Sequence, residues 1–321
     1  MMVQTQPLNH IATTTSNGID QATISAHPSD IHPDGNKPIA PLAPDCIKTM
    51  YSDDGPKEGT VEHTVLEKQQ GFGYRTLLGE MMYAYVTCRL DIGYAITTLS
   101  KFSTAPSTYH YGLLKSVAKY LRKTRSWGIR FKRSAIMPDF PEEEPQDVIQ
   151  LPDSIGPFPV DIAQPVLTCF VDAAHANDLR KRRSTTGYVL MFAGGAVVYK
   201  SKTQTLTAGS STEAEFIAAY SAAKSVRYIR YVLKQMGFIQ KDPTIIYIDN
   251  ESALKIINDN QSPTARTRHM DIRFFAIQDW KNDGDIIMKH IKGILNPSDD
   301  LTKPLGWVLH SRHCRRMMGH Y

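Results

Sequence analysis

The sequence predicts an α/β domain preceded by a helical segment. Two features carry that expectation: short apolar runs that end at acidic residues, and longer stretches between them with apolar residues three and four apart. A third is a pair of Pro-rich breaks that divide the chain. At 321 residues the chain has room for about two domains and a core that needs neither disulfides nor structural metal.

Composition excludes several classes. The longest near-apolar stretch, Gly187 to Tyr199, is shorter than the roughly 18 residues of a membrane span. It also holds a Gly194-Gly195 pair suited to a hairpin turn, so no membrane segment is expected. Residues Met1 to Gly18 are polar and lack a basic stretch followed by an apolar core, so no secretory signal is visible. An intracellular setting, cytoplasmic or nuclear, is the default. Cys46, Cys88, Cys169 and Cys314 stand far apart without a C-x-x-C pair, which argues against a disulfide scaffold and a zinc site. They read as core thiols.

The net charge of +5 hides a division. Residues 1–70 hold four Lys/Arg against nine Asp/Glu, a balance of −5 that leaves +10 for the rest. With six prolines in the first 45 residues and no apolar period, 1–70 is expected to be a disordered acidic leader. From 71 to 133 the spacing of Tyr74, Leu77, Leu78, Met81, Met82 and Tyr85 predicts a helical region. Its end, Lys115 to Arg133, has eight Lys/Arg and no acid, interleaved with Tyr120, Trp127 and Phe131. That pattern suits a nucleic-acid backbone, and equally a solvated helix face whose aromatics are core. Residues 134–164 are Pro-rich and acidic and read as a linker that loosens the coupling between the parts it joins.

Residues 165–321 carry the α/β pattern. Val166 to Val171 is a buried strand ending at Asp172, and Tyr188 to Phe192 with Ala196 to Tyr199 form a hairpin about Gly194-Gly195. A long helix runs from Thr212 to Met236 and stops at Gly237. Ile245 to Ile248 is a strand ending in Asp249, with a helix after it. A further helix covers Arg268 to Asn282, Ile286 to Ile291 is the last strand, and a last helix begins at Asp299.

Four acids thus stand at element ends: Asp172, Glu215, Asp249 and Asp299. Singly, each has a structural explanation as a cap, and Ser210-x-x-Glu213 and Thr212-x-x-Glu215 both fit a capping box. At 100° per residue, however, Ala219, Ala222, Val226, Ile229 and Leu233 form one stripe with Glu215 on its centreline and Glu213 nearly opposite. An inward carboxylate costs several kcal/mol unless a cation, a proton or hydrogen bonds compensate it. If the apolar strands are sheet neighbours, the acids converge at one edge, where like charges attract a hard divalent cation.

The residues also carry a resemblance. Asp172-Ala173-Ala174-His175-Ala176-Asn177-Asp178, Arg182-Arg183-Ser184-Thr185-Thr186-Gly187-Tyr188 and Ser210-Ser211-Thr212-Glu213-Ala214-Glu215 resemble the ribonuclease H region of copia-type retrotransposon polyproteins. So do Asp249-Asn250-Glu251-Ser252-Ala253, Arg268-His269-Met270-Asp271-Ile272-Arg273 and Asn296-Pro297-Ser298-Asp299-Asp300-Leu301-Thr302-Lys303-Pro304. Upstream, Tyr74-Arg75-Thr76-Leu77-Leu78-Gly79 through Leu90-Asp91-Ile92-Gly93-Tyr94-Ala95 to Tyr120-Leu121-Arg122 is similar to the end of that family's reverse transcriptase. The polymerase core is missing: Tyr51-Ser52-Asp53-Asp54 imitates a Y-x-D-D motif, but lies too close to Tyr74 and reads as a solvated turn.

The resemblance implies a ribonuclease H-like mixed five-stranded sheet with flanking helices and hydrolysis of the RNA strand of RNA/DNA hybrids. It implies two Mg²⁺ ions, with Mn²⁺ as a substitute, held by Asp172, Glu215, Asp249 and Asp299. Glu215 is preferred to Glu213 because Glu215-Phe216-Ile217-Ala218 matches the wider family's E-L-x-A. Asp299 is preferred to Asp300 by its spacing to Thr302-Lys303 alone. The chain departs from the family at Ala174 and His175, where a second acid and an aromatic are frequent, and at Leu90, where Pro is common. Arg180, Lys181, Arg182 and Arg183, with Arg266, Arg268 and His269 at a helix start, are the expected hybrid-binding residues. Each set reads equally as a solvated surface cluster. His290 is either a strand residue or an aid to product release.

The expected partners are the hybrid and a reverse transcriptase or longer polyprotein. One alternative is a silent truncated remnant that binds nucleic acid or such a partner. Another is a different metal nuclease of the same fold, against which the Ser-Ser-Thr-Glu-Ala-Glu and Asn-Pro-Ser-Asp blocks argue. A Ser-His-Asp hydrolase lacks its G-x-S-x-G elbow.

Overall fold

β1 (Thr168–Asp178) is the strand on which the molecule is built. It pairs antiparallel with β2 (Arg183–Phe192), which pairs antiparallel with β3 (Gly195–Thr203). On its other side β1 pairs parallel with β4 (Thr244–Ile248), which pairs parallel with β5 (Ile286–His290). The sheet order is β3-β2-β1-β4-β5. A parallel neighbour needs a crossover, and α6 (Ser211–Gln235) supplies the one before β4. α7 (Glu251–Asn258) and α8 (Asp271–Asn282) lie between β4 and β5. This is the mixed five-stranded ribonuclease H-like sheet with flanking helices. The computed structural model describes residues 40–132, 165–258 and 271–319, all within the compact unit Pro38–Tyr321.

α6 lies close on the sheet because its inner face is mostly alanine: Ala214, Ala218, Ala219, Ala222 and Ala223 are buried with Phe216, Val226 and Leu233. Ser210 caps it by accepting from the Glu213 N–H at 3.1 Å, and the Glu213 carboxylate accepts from Gly209 N–H at 2.8 Å. Glu213 is therefore the capping acid and Glu215 the inward one. α8 packs on α6 through Trp280 stacked on Tyr220.

Several expectations need correction. Residues 40–70 are not a leader: α1 (Cys46–Ser52) and α2 (Val61–Gln70) bury Leu42, Cys46, Met50 and Leu66 against α3 (Tyr74–Thr87), α4 (Gly93–Leu99) and α5 (Thr108–Lys123). Few apolar residues are needed when partners cover them, and partners are invisible to a linear scan. Tyr51 belongs to the last turn of α1, edge-on to Phe102, so Tyr51 to Asp54 is not a solvated turn. Of the aromatics in 115–133, Tyr120 is fully buried and Trp127 packs on Tyr120 and Trp307, so these two are core; Phe131 is exposed. The final helix begins later than Asp299: a 3-10 turn spans Pro297–Leu301, Pro304 interrupts, and α9 runs Trp307–Met317.

The helical segment and the sheet share a core rather than a loose coupling. Tyr199 donates its hydroxyl to Tyr85 O at 2.7 Å, Tyr85 accepts from Ser201 N–H at 2.9 Å, and Lys132 N–H donates to Ala193 O at 2.7 Å. Leu90 is buried among Phe170, Val189, Leu301 and Met317.

Candidate functional site

Register brings the first two acids together. Val171 pairs with Ile248 across the parallel β1–β4 ladder, so Asp172 and Asp249, each one residue further on, emerge at the same level. β1 continues to Asp178 because β2 extends with it, pairing Ala173 with Thr186 and Ala174 with Thr185. Asp172 is thus inside a strand rather than at its end, at the point where the parallel neighbour stops. The run Ala173 to Asp178 lacks the β-branched and aromatic residues that mark a strand in sequence.

Glu215 enters from α6, one turn in from its start. One oxygen each from Asp172, Glu215 and Asp249 lie within 4.8 Å of one another, with Asp172 4% and Glu215 5% exposed. Asp299 stands on the Pro297–Leu301 turn beside this trio, 6% exposed. Its Oδ2 is 3.0 Å from Lys303 Nζ, one turn on. Thr302 Oγ1 donates to Asp172 Oδ2, and Asn296 Nδ2 donates to Val171 O at 2.9 Å, so the turn is bonded directly to β1.

Gly187 makes that contact possible. It pairs with Asp172, and a Cβ there would lie 2.5 Å from Thr302 Cγ2 and 2.9 Å from Ser298 O, too close for any side chain.

The electrostatics follow from burial and crowding. Glu215 is pushed up to about 10 by burial, then by the charges of Asp172 and Asp249. Asp299 is raised to about 8 by burial and Asp172, with Lys303 pulling it back. Asp249 is raised to about 6 by burial and Asp172. Burial opposes the charge on Lys303, but Asp172 and Asp299 outweigh it and raise its pKa. Lys303 is a site residue that its spacing to Asp299 alone could have revealed.

The basic residues fare differently. Arg180 pairs with Asp54 and lies 5.0 Å over the Phe102 ring, contacts that draw it toward the helical segment. Asp178 fixes the same loop by accepting from Lys181 N–H at 3.0 Å and pairing with Lys101 at 3.3 Å. Lys181 and Arg182 remain exposed, and Arg183 begins β2 half-buried. Arg266, Arg268 and His269 lie outside the described residues. His290 ends β5 exposed, 3.9 Å from Glu251. His175 is exposed, its Nε2 3.2 Å from Ala208 O.

Comparison with known proteins agrees with the resemblance read from the motifs. A retrovirus-related Pol polyprotein from transposon TNT 1-94 of Nicotiana tabacum is 32% identical over 230 residues, 72% of this chain and 15% of the polyprotein. One from transposon RE2 of Arabidopsis thaliana is 26% identical over 244 residues, 76% of this chain and 15% of the polyprotein. The chain belongs to the copia-type retrotransposon polyprotein family. It spans about 15% of the length of these relatives. The secreted RxLR effector protein 161 of Plasmopara viticola is 30% identical over 156 residues, 49% of this chain and 90% of that protein. Among solved structures, LC11-RNase H1 isolated from compost matches with 14% identity and a TM-score of 0.33 over 43% of this chain and 92% of that one. No family model matches the sequence. Among the described residues, no helix is long and apolar enough to cross a membrane.

Proposed function

We propose that this copia-type chain is a metal-dependent endoribonuclease that hydrolyses the RNA strand of RNA/DNA hybrids. The observation that carries the reading is the convergence of Asp172, Glu215 and Asp249, from three separate elements, to within 4.8 Å, with Asp299 beside them. Two oxygens there, Glu215 Oε2 and Asp299 Oδ1, are buried without a hydrogen-bond partner, a costly arrangement that a divalent cation relieves. An all-oxygen donor set suits Mg²⁺, with Mn²⁺ as substitute. Asp172, Glu215, Asp249 and Asp299 would hold the two ions. The chemistry that such ions would supply there is activation of the attacking water and stabilisation of the departing 3′ oxygen, with 3′-hydroxyl and 5′-phosphate ends as the products.

The chain's own residues prepare that chemistry. Thr302 fixes the orientation of the Asp172 carboxylate, and the ladder places Asp249 level with it. Glu215 and Asp299, raised by burial, would give up their protons in order to hold a cation. Lys303 partly neutralises the cluster until then. Lys181, Arg182 and Arg183, with Arg266, Arg268 and His269, would meet the phosphates of the hybrid. A reverse transcriptase, or a longer copy of the polyprotein, would supply the hybrid in the cytoplasm.

The test uses the full chain, because residues 40–132 share its core. An end-labelled hybrid is incubated in Mg²⁺ or EDTA, beside Asp249→Asn, duplex DNA and duplex RNA. The expected result is cutting of the RNA strand of the hybrid alone, in Mg²⁺ and not EDTA, lost in the variant. A folded chain that binds hybrid but leaves it intact in Mg²⁺ and Mn²⁺ would be the non-catalytic remnant, a reading favoured by Lys303 standing against Asp299 as a built-in cation.

A further inference from the structure

Asp300, next to Asp299 on the Pro297–Leu301 turn, belongs to a different set of contacts. Its Oδ1 is 2.5 Å from His310 Nδ1, and its Oδ2 accepts from Cys314 Sγ at 3.4 Å. His310 Nε2 lies 3.0 Å from the hydroxyl of Tyr120, which donates to Asp91 Oδ2 at 2.6 Å. Arg89 closes the chain, donating from Nε and Nη2 to the two oxygens of Asp91 at 3.0 and 2.7 Å. Arg89, Asp91, Tyr120, Asp300 and His310 are all more than nine-tenths buried.

With both carboxyls ionised, the proton bookkeeping has one solution. Tyr120 has a single hydroxyl proton, given to Asp91, so its oxygen accepts from His310 Nε2. Nδ1 faces a carboxylate and also donates, which makes His310 an imidazolium. Arg89 and His310 then balance Asp91 and Asp300, a buried set with no charge left over. Both imidazole nitrogens are engaged, so Asp300, His310 and Cys314 form a hydrogen-bonded support rather than a cation site.

The support crosses the molecule. Arg89, Asp91 and Tyr120 come from the helical segment; His310 comes from α9, and Asp300 from the turn that carries Asp299. On the sheet side that turn is tied to β1 by Asn296 and Thr302; on the other side it is tied by Asp300. A metal-ligating side chain must be held to within about 0.5 Å by groups that are themselves locked.

We infer that Tyr120 and Asp91 are positioning residues for Asp299, acting through His310 and Asp300 to hold the Pro297–Leu301 turn against the carboxylate cluster. The helical segment is then a working part of the nuclease. This rests on the function proposed above.

The test compares the full chain with Tyr120→Phe, which keeps the ring, and with Tyr111→Phe, a buried tyrosine on the opposite face of the same helix. Hybrid cleavage kinetics, calorimetric Mg²⁺ titration and amide exchange over residues 297–302 are measured. Tyr120→Phe is expected to lower kcat about tenfold and weaken Mg²⁺ binding several-fold, as lost support behind metal ligands does. KM for hybrid should stay within about twofold, exchange over the turn should quicken, and Tyr111→Phe should match wild type. Wild-type kcat and Mg²⁺ affinity in Tyr120→Phe overturn the inference whatever its melting temperature, as does an equal loss in Tyr111→Phe. If Tyr120→Phe fails to fold, His310→Gln is judged by the same measures. If wild type itself neither binds Mg²⁺ nor cleaves, the proposed function falls first. Exchange over 297–302 then decides the link: unchanged in Tyr120→Phe, it is overturned; faster, the link stands.

Discussion

Asp172 and Asp249 stand level because Val171 and Ile248 are register partners in the parallel ladder between β1 and β4. The pair is an output of strand register, and a one-residue slip would send one carboxylate to the opposite face of the sheet. Glu215 completes the trio from a helix whose alanines let it approach the strands.

Removing one of these charges should trade activity for stability. Asp249→Asn is expected to abolish cleavage and raise the stability of the metal-free chain by about 1 kcal/mol at pH 8, as relief of crowding at a strained functional site does. Urea denaturation without divalent metal, beside the cleavage assay, checks both halves.

The same crowding sets a pH dependence. Asp249, Asp299 and Glu215 have folded-state pKa values of about 6, 8 and 10, against about 4 for an unfolded carboxylate. The folded chain therefore binds more protons than the unfolded one over that span. Their contribution to stability is full below pH 4 and is lost as pH rises through 6, 8 and 10. Metal-free chain should melt progressively lower from pH 5 to pH 9 in calorimetry. Saturating Mg²⁺ should flatten that decline, adding about 2.7 kcal/mol at about a hundred times Kd. A decline that is the same with and without Mg²⁺ would show that the cluster is not its source.

Gly187→Ala is expected to be more damaging than a methyl group suggests. The new Cβ would press on Thr302 Cγ2 at 2.5 Å and on Leu301 Cβ at 2.9 Å, pushing the Asp299 turn off β2. A loss of about 1–3 kcal/mol in stability is expected from overpacking, with a larger proportional loss of kcat than of hybrid affinity. Thermal denaturation and steady-state kinetics test it.

The basic loop should divide in function. Lys181→Ala with Arg182→Ala is expected to weaken hybrid binding and reduce the dependence of log affinity on log salt by roughly 1–2, as the loss of one or two phosphate contacts does. Arg180→Ala should leave the slope unchanged and cost at most about 1 kcal/mol, the usual worth of an exposed ion pair. Fluorescence anisotropy across a salt series separates them. An equal fall in slope for Arg180→Ala would return that residue to the hybrid.

Periodicity and capping alone place the order of strands and helices, the inward face of Glu215 and the hairpin, whose turn lies at Ala193-Gly194, one residue before the expected Gly194-Gly195, because each is a local property of a few neighbouring residues. The order and spacing of motifs carry the family resemblance. Tertiary contact decides the rest. Whether Ala173 to Asp178 is strand depends on β2 beside it, and whether residues 40–70 fold depends on the helices that cover Leu42, Met50 and Leu66. Arg180 looks like its basic neighbours until Asp54 and Phe102 claim it. The path from Tyr120 through His310 to Asp300 spans 190 residues of sequence and has no local signature. A hydrogen bond needs two partners at about 3 Å, and only the packed chain brings them there.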